Sequence, residues 1–208
     1  MKQLCRLCGN SANFFYEDKQ RYFHCHECDA IFTAFQDLLD RQSEKERYEL
    51  HTAEIDAGYK KFVSPLTSRV MNDFSKDAQG LDFGSGRSQI VAKVLQENGY
   101  AIKPYDPFFL NDIDLLTKTY NYITSCEVIE HFYNPKKEFE LLRTLLKEKG
   151  RLYLMTELYD DTINFSTWYY KNDPTHVFFY SIKTIQFIQK KFEFKSVRID
   201  KRVIILTL

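Results

Sequence analysis

What this chain of 208 residues lacks narrows its class before any motif is read. No apolar run approaches the roughly 18 residues that a membrane helix needs, so the sequence offers no spanning segment. No charge of one sign dominates: 29 Lys and Arg balance 29 Asp and Glu, which leaves no global field to gather nucleic acid or an anionic membrane. The opening Met1-Lys2-Gln3-Leu4-Cys5-Arg6 has no apolar h-region, so a secretory signal is not expected. The expected location is therefore cytoplasmic, where a reducing environment disfavours disulfides. There is no internal repeat and no low-complexity tract. The length suffices for one good core plus a small appendage, but not for two full domains.

What is present begins with five cysteines, four of them in two C-x2-C pairs. Zinc takes four soft ligands in a tetrahedron, and Cys5-x2-Cys8 with Cys25-x2-Cys28 supplies that set. The 16 residues between Cys8 and Cys25 fall in the loop range of zinc ribbons. A redox pair would open a helix after a strand, and neither pair has that setting. The expected metal is one structural Zn2+, closed because four thiolates leave no open position. His24 and His26 flank Cys25 and read as solvated hairpin residues, since the ligand set is complete without them. Cys126 lies alone in an apolar stretch and reads as a buried wall residue.

From residue 80 short apolar runs alternate with amphipathic stretches. Strands are expected at Gly80–Phe83, Ala101–Tyr105, Tyr122–Cys126, Arg151–Thr156 and in two closing runs near 194–199 and 203–208. Helices are expected from Ile90 to Gly99, from Pro135 through Leu146 with Lys149-Gly150 ending it, and from an N-cap at Ser181 through Lys190. Residues 35–75 carry helical spacing, broken by Gly58 and Pro65. This alternation implies an α/β sheet with mostly parallel strands.

Asp82-x-Gly84-x-Gly86 follows the first of these strands and precedes a helix. Glycines there let backbone approach a ligand at a helix N-terminus. A dinucleotide fingerprint needs a third glycine three residues on; that position is Gln89, which argues against NAD. Asp106, 20 residues after Gly86, ends the second strand, where a carboxylate can grip both hydroxyls of a ribose.

Leu81-Asp82-Phe83-Gly84-Ser85-Gly86, Tyr105-Asp106-Pro107 and Ser125-Cys126-Glu127-Val128-Ile129-Glu130-His131-Phe132, in that order, resemble class I S-adenosylmethionine-dependent methyltransferases, near the small-molecule methylases of the ubiquinone-biosynthesis type. More narrowly, Arg47-Tyr48-Glu49-Leu50-His51, Ala57-Gly58-Tyr59 and Asp173-Pro174-Thr175-His176-Val177-Phe178-Phe179-Tyr180 resemble a bacterial group that carries an N-terminal zinc ribbon. The resemblance implies a Rossmann-like methyltransferase sheet with helices on both faces, preceded by a small zinc-ribbon module. Its segments would be a zinc ribbon at 1–33, a helical linker or lid region at 34–78 and the catalytic core at 79–208. It implies S-adenosylmethionine as cofactor, held by Asp82, Gly84, Ser85, Gly86, Asp106, Cys126 and Glu127, with the glycine loop at the amino-acid end and Asp106 on the ribose. Ser88 stands where the family's loop has a third glycine. No clear match exists for the adenine-contacting acid, for which Asn111, Asp112 and Asp114 are candidates.

Methyl transfer is an in-line displacement in which protein groups align the reactants, and an acceptor whose nucleophile carries a proton would also call for a base near pH 7. Histidine suits that task. His131 follows the expected cofactor-lining strand, and His176 sits in an aromatic loop with Trp168, Tyr169, Tyr170 and Tyr180; these two are the candidate catalytic residues. Each has a plainer reading as an anchor for its loop. His51 reads as a surface helix residue, with a lid role as the alternative. The expected partner is a small-molecule methyl acceptor, with neither nucleic acid nor membrane. The competing functions are an RNA methyltransferase docked through the ribbon, and a non-catalytic zinc-bearing interaction protein. The intact Gly84, Gly86 and Asp106 set argues against the latter, and the balanced charge against the former.

Overall fold

A computed structural model describes residues 1–50 and 57–208. His51, with its lid reading, lies outside the described residues. The strands are β1 (Lys2–Leu4), β2 (Ser11–Glu17), β3 (Arg21–Cys25), β4 (Ala30–Thr33), β5 (Gly80–Phe83), β6 (Ile102–Tyr105), β7 (Tyr120–Cys126), β8 (Leu146–Met155), β9 (Phe178–Phe179), β10 (Ser196–Asp200) and β11 (Val203–Thr207). The helices are α1 (Arg41–Glu49), α2 (Ala57–Asp73), α3 (Ile90–Glu97), α4 (Pro135–Thr144) and α5 (Ile182–Lys191). The chain divides into two compact units, the first comprising Met1–His51, Ile129–Phe139 and Glu157–Phe192, the second Thr52–Val128, Glu140–Thr156 and Glu193–Leu208.

The first unit is built on a five-stranded antiparallel sheet in the order β1-β2-β3-β4-β9. Its last strand comes from far along the chain: Ile31 pairs with Phe179 and Phe32 with Phe178. Arg6, inside the first C-x2-C turn, fixes that addition. Its guanidinium donates to Thr33 O at 2.8 Å and Val177 O at 2.9 Å, and it lies over the Phe32 and Phe178 rings. Burial lowers the Arg6 pKa to about 10, so it stays charged at neutral pH. Tyr22, Ile31, Phe165, Trp168, Tyr170 and Phe179 make an aromatic core between sheet and returning segment. Ser181 caps α5 in a reciprocal pair with Thr184, as expected of an N-cap.

The second unit holds a six-stranded sheet in the order β10-β11-β8-β7-β5-β6. β6, β5, β7 and β8 are parallel neighbours, and β11 and β10 complete the sheet antiparallel. β5 has β6 on one side and β7 on the other, so the chain order reverses there, and α/β sheets bind ligands outside the carboxyl ends of the strands at such a point. Both faces of the central strand are covered: β5 is buried at every position. Val63, Leu66 and Val70 of α2 and Ile90, Val91 and Leu95 of α3 pack with Ile102, Tyr122 and Tyr153 in the core.

Two expectations about elements are corrected. Pro65 does not break α2, which runs through it. The carbonyl of Lys61, which a residue with an N–H would have bonded, instead accepts the Ser64 hydroxyl at 2.7 Å. The helix after Pro135 ends at Thr144, and Lys149-Gly150 does not terminate it but lies within β8. Tyr120 pairs with Leu146 and Tyr122 with Arg151, so the Lys147–Gly150 residues bulge out of the strand, with Lys149 at a φ of 61°.

Gly80 is where the second sheet is tightest. A Cβ there would fall 2.3 Å from the ring of Tyr122, which is fully buried and donates its hydroxyl to Ala101 O. Gly80→Ala is expected to lower stability by about 1–3 kcal/mol through overpacking. Urea unfolding would measure this, and an unchanged midpoint would contradict the account of the packing.

Candidate functional site

At the reversal point, β5 feeds a loop whose backbone turns through the left-handed region at Gly84 (φ 77°) and Gly86 (φ 61°). Gly84 has no room for a side chain: an added Cβ would meet the Val128 methyls at 2.6 and 2.7 Å. Beside Gly86 the space is open, with nothing within 4 Å of such an atom. The loop is tied to the end of β6, because Gly84 and Ser85 both donate their N–H to Tyr105 O. Asp106 completes the tie. One of its oxygens accepts Gly86 N at 2.9 Å, and the other accepts Phe108 N and Phe109 N at 2.9 and 3.0 Å. Three backbone donors therefore orient the Asp106 carboxylate.

Asp82 lies under this loop. Its carboxylate is buried, accepting the Thr124 hydroxyl at 2.8 Å and Ala92 N, in the first turns of α3, at 3.1 Å. Burial pushes its pKa up to about 7 despite those two donors. At the edge of β7, Cys126 is half-buried, and Glu127 takes a φ of 53° and pairs with Arg202 at 2.5 Å. From α2, Tyr59 bonds Ser88, the residue that replaces the family's third glycine. Asn111 and Asp112 line a cavity of about 550 Å³ with Lys103, Pro104, Leu110, Leu115 and Lys118. Asp112 and Asp114 belong to one 3-10 turn, in which the Asp112 carboxylate accepts Asp114 N.

In the first unit the four paired cysteines converge. The Cys5, Cys8, Cys25 and Cys28 sulfurs lie within 4.8 Å of one another, with Cys5 and Cys28 at 3.5 Å and Cys8 and Cys25 at 3.4 Å. Those separations are far too long for disulfides and bracket the ~3.8 Å expected between sulfurs around a tetrahedral zinc. The two turns are built alike. Gly9 N donates to Cys5 O and Asp29 N to Cys25 O, and Gly9 and Asp29, each following a second cysteine, both have positive φ. The hydrogen bond with Cys28 pulls the Cys5 thiol down to about 6, and the same bond pushes Cys28 far up. Four thiolates this close need a cation among them, and the donor set fits a divalent metal ion. His24 and His26 pack edge-on against each other; His24 bonds Asp29, whose other oxygen accepts the Ser181 hydroxyl.

His131 and His176 also meet, with ring centroids 4.8 Å apart. His131 ends a 3-10 turn at Ile129–His131, and its Nδ1 faces Thr175 O at 3.0 Å. His176 Nδ1 faces Tyr170 O at 2.6 Å. Carbonyls only accept, so in both rings Nδ1 carries the proton and Nε2 the lone pair. Burial, and then the neighbouring His131, lower the His176 pKa. Glu130 is fully buried and accepts the Tyr170 hydroxyl. From α1, Tyr48 packs edge-on to His131 and Arg47 pairs with Asp173 at 3.0 Å. Burial works against the charged form of Asp173, but the Thr175 hydroxyl and Arg47 hold it well below the usual carboxylate range.

Residues 55–199 match the methyltransferase-domain family. The chain belongs to that family. The fold is that of S-adenosylmethionine-dependent methyltransferases. A methyltransferase of this kind from Archaeoglobus fulgidus superposes with a TM-score of 0.56 over 72% of this chain and 94% of its own, at 17% identity. Magnesium protoporphyrin IX methyltransferase from Synechocystis PCC 6803, solved with bound S-adenosylhomocysteine, gives 0.57 over 80% of this chain and 94% of its own, at 12% identity. Human N-acetylserotonin methyltransferase, solved with S-adenosylmethionine, gives 0.57 over 80% of this chain but only 56% of its own, at 14% identity. No curated protein matches the chain by sequence.

The protein is thus an enzyme of the methyltransferase class, and among its described residues no helix is long and apolar enough to cross a membrane. Several residues beside the cysteine and histidine clusters escape a reading of the sequence by motif. Arg6 looks like any charged residue in a metal knuckle, and Tyr48 like one face of a helix. Glu130 carries a signal, since it directly precedes His131, but its burial does not show in the pattern.

Asp82 generates a test of the loop's electrostatics. With its folded pKa raised to about 7, it binds its proton more tightly folded than unfolded. Its contribution to stability is therefore full below the unfolded carboxyl range and lost as pH rises toward 7, with a slope of at most ~1.4 kcal/mol per pH unit. Denaturant unfolding from pH 4.5 to 7.5 should show this fall relative to Asp82→Asn. Parallel profiles for the two proteins would contradict it.

Proposed function

We propose that the protein transfers a methyl group from S-adenosylmethionine to a small-molecule acceptor. The observation that carries this reading is the linkage of Gly86 N to the Asp106 carboxylate at the point where the strand order reverses. It ties a glycine turn with open space beside it to an acid at the end of the next strand. In this reading Gly84, Ser85 and Gly86 receive the amino-acid end of the cofactor, Asp106 the ribose hydroxyls, and Cys126 and Glu127 line the same pocket. Asp82 serves the cofactor through the loop it braces. The solved relatives named for N-acetylserotonin and magnesium protoporphyrin IX are consistent with a small acceptor. The balanced charge of the chain speaks for the same class over RNA.

Bound S-adenosylmethionine supplies an electrophilic methyl group on a sulfonium. The acceptor's lone pair takes that methyl as the carbon–sulfur bond breaks onto sulfur, and the acceptor's proton must leave. His131 and His176 are the proposed catalytic residues for that proton, because their Nδ1–H bonds to carbonyls present Nε2 as the basic atom. The four cysteines hold one structural zinc, and the ribbon at 1–33 serves as a metal-stapled platform beside the segments that carry the histidines.

Calorimetry with S-adenosylmethionine or S-adenosylhomocysteine should give one site per chain, weakened at least about tenfold by Asp106→Ala. No heat from folded protein would overturn the reading, and unchanged affinity in the variant would overturn the ribose assignment. Metal analysis after gel filtration should find a zinc that Cys25→Ser loses, together with a large drop in melting temperature. Retention of that zinc by the variant would exclude the four-thiolate site.

A further inference from the structure

Glu130, His131 and His176 are arranged in a way that proton transfer alone does not require. One donor atom of each lies within 4.8 Å of the other two. Glu130 has no exposed surface, and its carboxylate is oriented by the Tyr170 hydroxyl. Both imidazoles are fixed by Nδ1–H bonds to main-chain carbonyls, of Thr175 and of Tyr170. That is how metal-bound histidines are held: the outer nitrogen donates to a carbonyl, which sets the tautomer and aims the other nitrogen at the ion. Tyr170 thus supports two of the three donors, one through its hydroxyl and one through its carbonyl.

We propose that Glu130, His131 and His176 form a second metal site, for a divalent cation held by two imidazoles and one carboxylate, with open positions that take an oxygen atom of the methyl acceptor. Its chemistry differs from that of the four cysteines. Thiolates close a structural site, whereas three nitrogen and oxygen ligands leave at least one position free. Imidazole with carboxylate suits zinc, cobalt, manganese or ferrous iron. The acceptor part of the proposal rests on the methyl-transfer reading; the metal site does not. With an ion bound, Nε2 of His131 and His176 would be ligands and no longer proton acceptors, and a hydroxyl in an open position would lose its proton to solvent near neutral pH because the ion would stabilise the alkoxide.

The test uses the full chain loaded with one equivalent of zinc, which the thiolates take first, and then titrated with Co2+. One further equivalent should bind, giving ligand-field bands without the intense sulfur-to-cobalt charge transfer of thiolate ligation. Glu130→Gln and His176→Ala should each weaken Co2+ binding by about tenfold or more, and Tyr170→Phe by a smaller factor. Circular dichroism establishes that each variant is folded. Acetohydroxamate, a small oxygen chelator, should shift the wild-type bands by entering the open positions. Absence of a second equivalent would overturn the site, as would equal binding in a folded His176→Ala variant, and unshifted bands would overturn the open positions. Cobalt binding without heat from S-adenosylmethionine would leave the metal site standing and remove the methyl-transfer reading. The converse result would do the reverse.

Discussion

The first unit depends on one guanidinium. Arg6 stands between two zinc-type cysteines and donates to the carbonyls of Thr33 and Val177, the latter 171 positions away. Through it, the ribbon sheet takes β9 as its fifth strand, and the segment from Asp173 to Tyr180 is fixed. Both histidines lean on that segment. His176 belongs to it, His131 bonds Thr175 O, and Glu130 O accepts Val177 N. The cysteine turns therefore set more than their own geometry. They hold the register that brings Glu130, His131 and His176 together.

The second unit solves a different problem with similar means. Its loop must turn tightly at the carboxyl ends of parallel strands and keep space open beside it. The chain does this with two glycines at positive φ, a buried carboxyl beneath the turn and a second carboxylate across it. The raised pKa of Asp82 measures what that costs, since a fully buried acid favours its neutral form. Asp106 is held by three backbone donors before any ligand arrives, so the acid at the strand end is already oriented. In the proposed reaction such orientation counts, because alignment is the protein's main contribution to methyl transfer.

Much of this is legible in the sequence, and the rest is hidden for physical reasons. Strand, glycine turn, helix and acid follow one another within 30 residues, so local pattern suffices for the loop. The C-x2-C pairs are equally local. Pairing of Phe178 and Phe179 with β4 is a contact across most of the chain, and two residues have no periodicity to betray them. Pro65 misleads because a serine one residue earlier satisfies the carbonyl that proline leaves open. Lys149-Gly150 has the look of a helix stop, yet it is a bulge inside β8, since pairing with β7 resumes on either side. The sequence nominates His131 and His176 separately; only the returning strand explains why they touch.

A crystal structure with S-adenosylhomocysteine bound tests the central claim most directly. The account predicts ribose hydroxyls on the Asp106 carboxylate and the amino-acid end of the ligand against Gly84–Gly86. A ligand seated away from Asp106, with the space beside Gly86 still open, would contradict it.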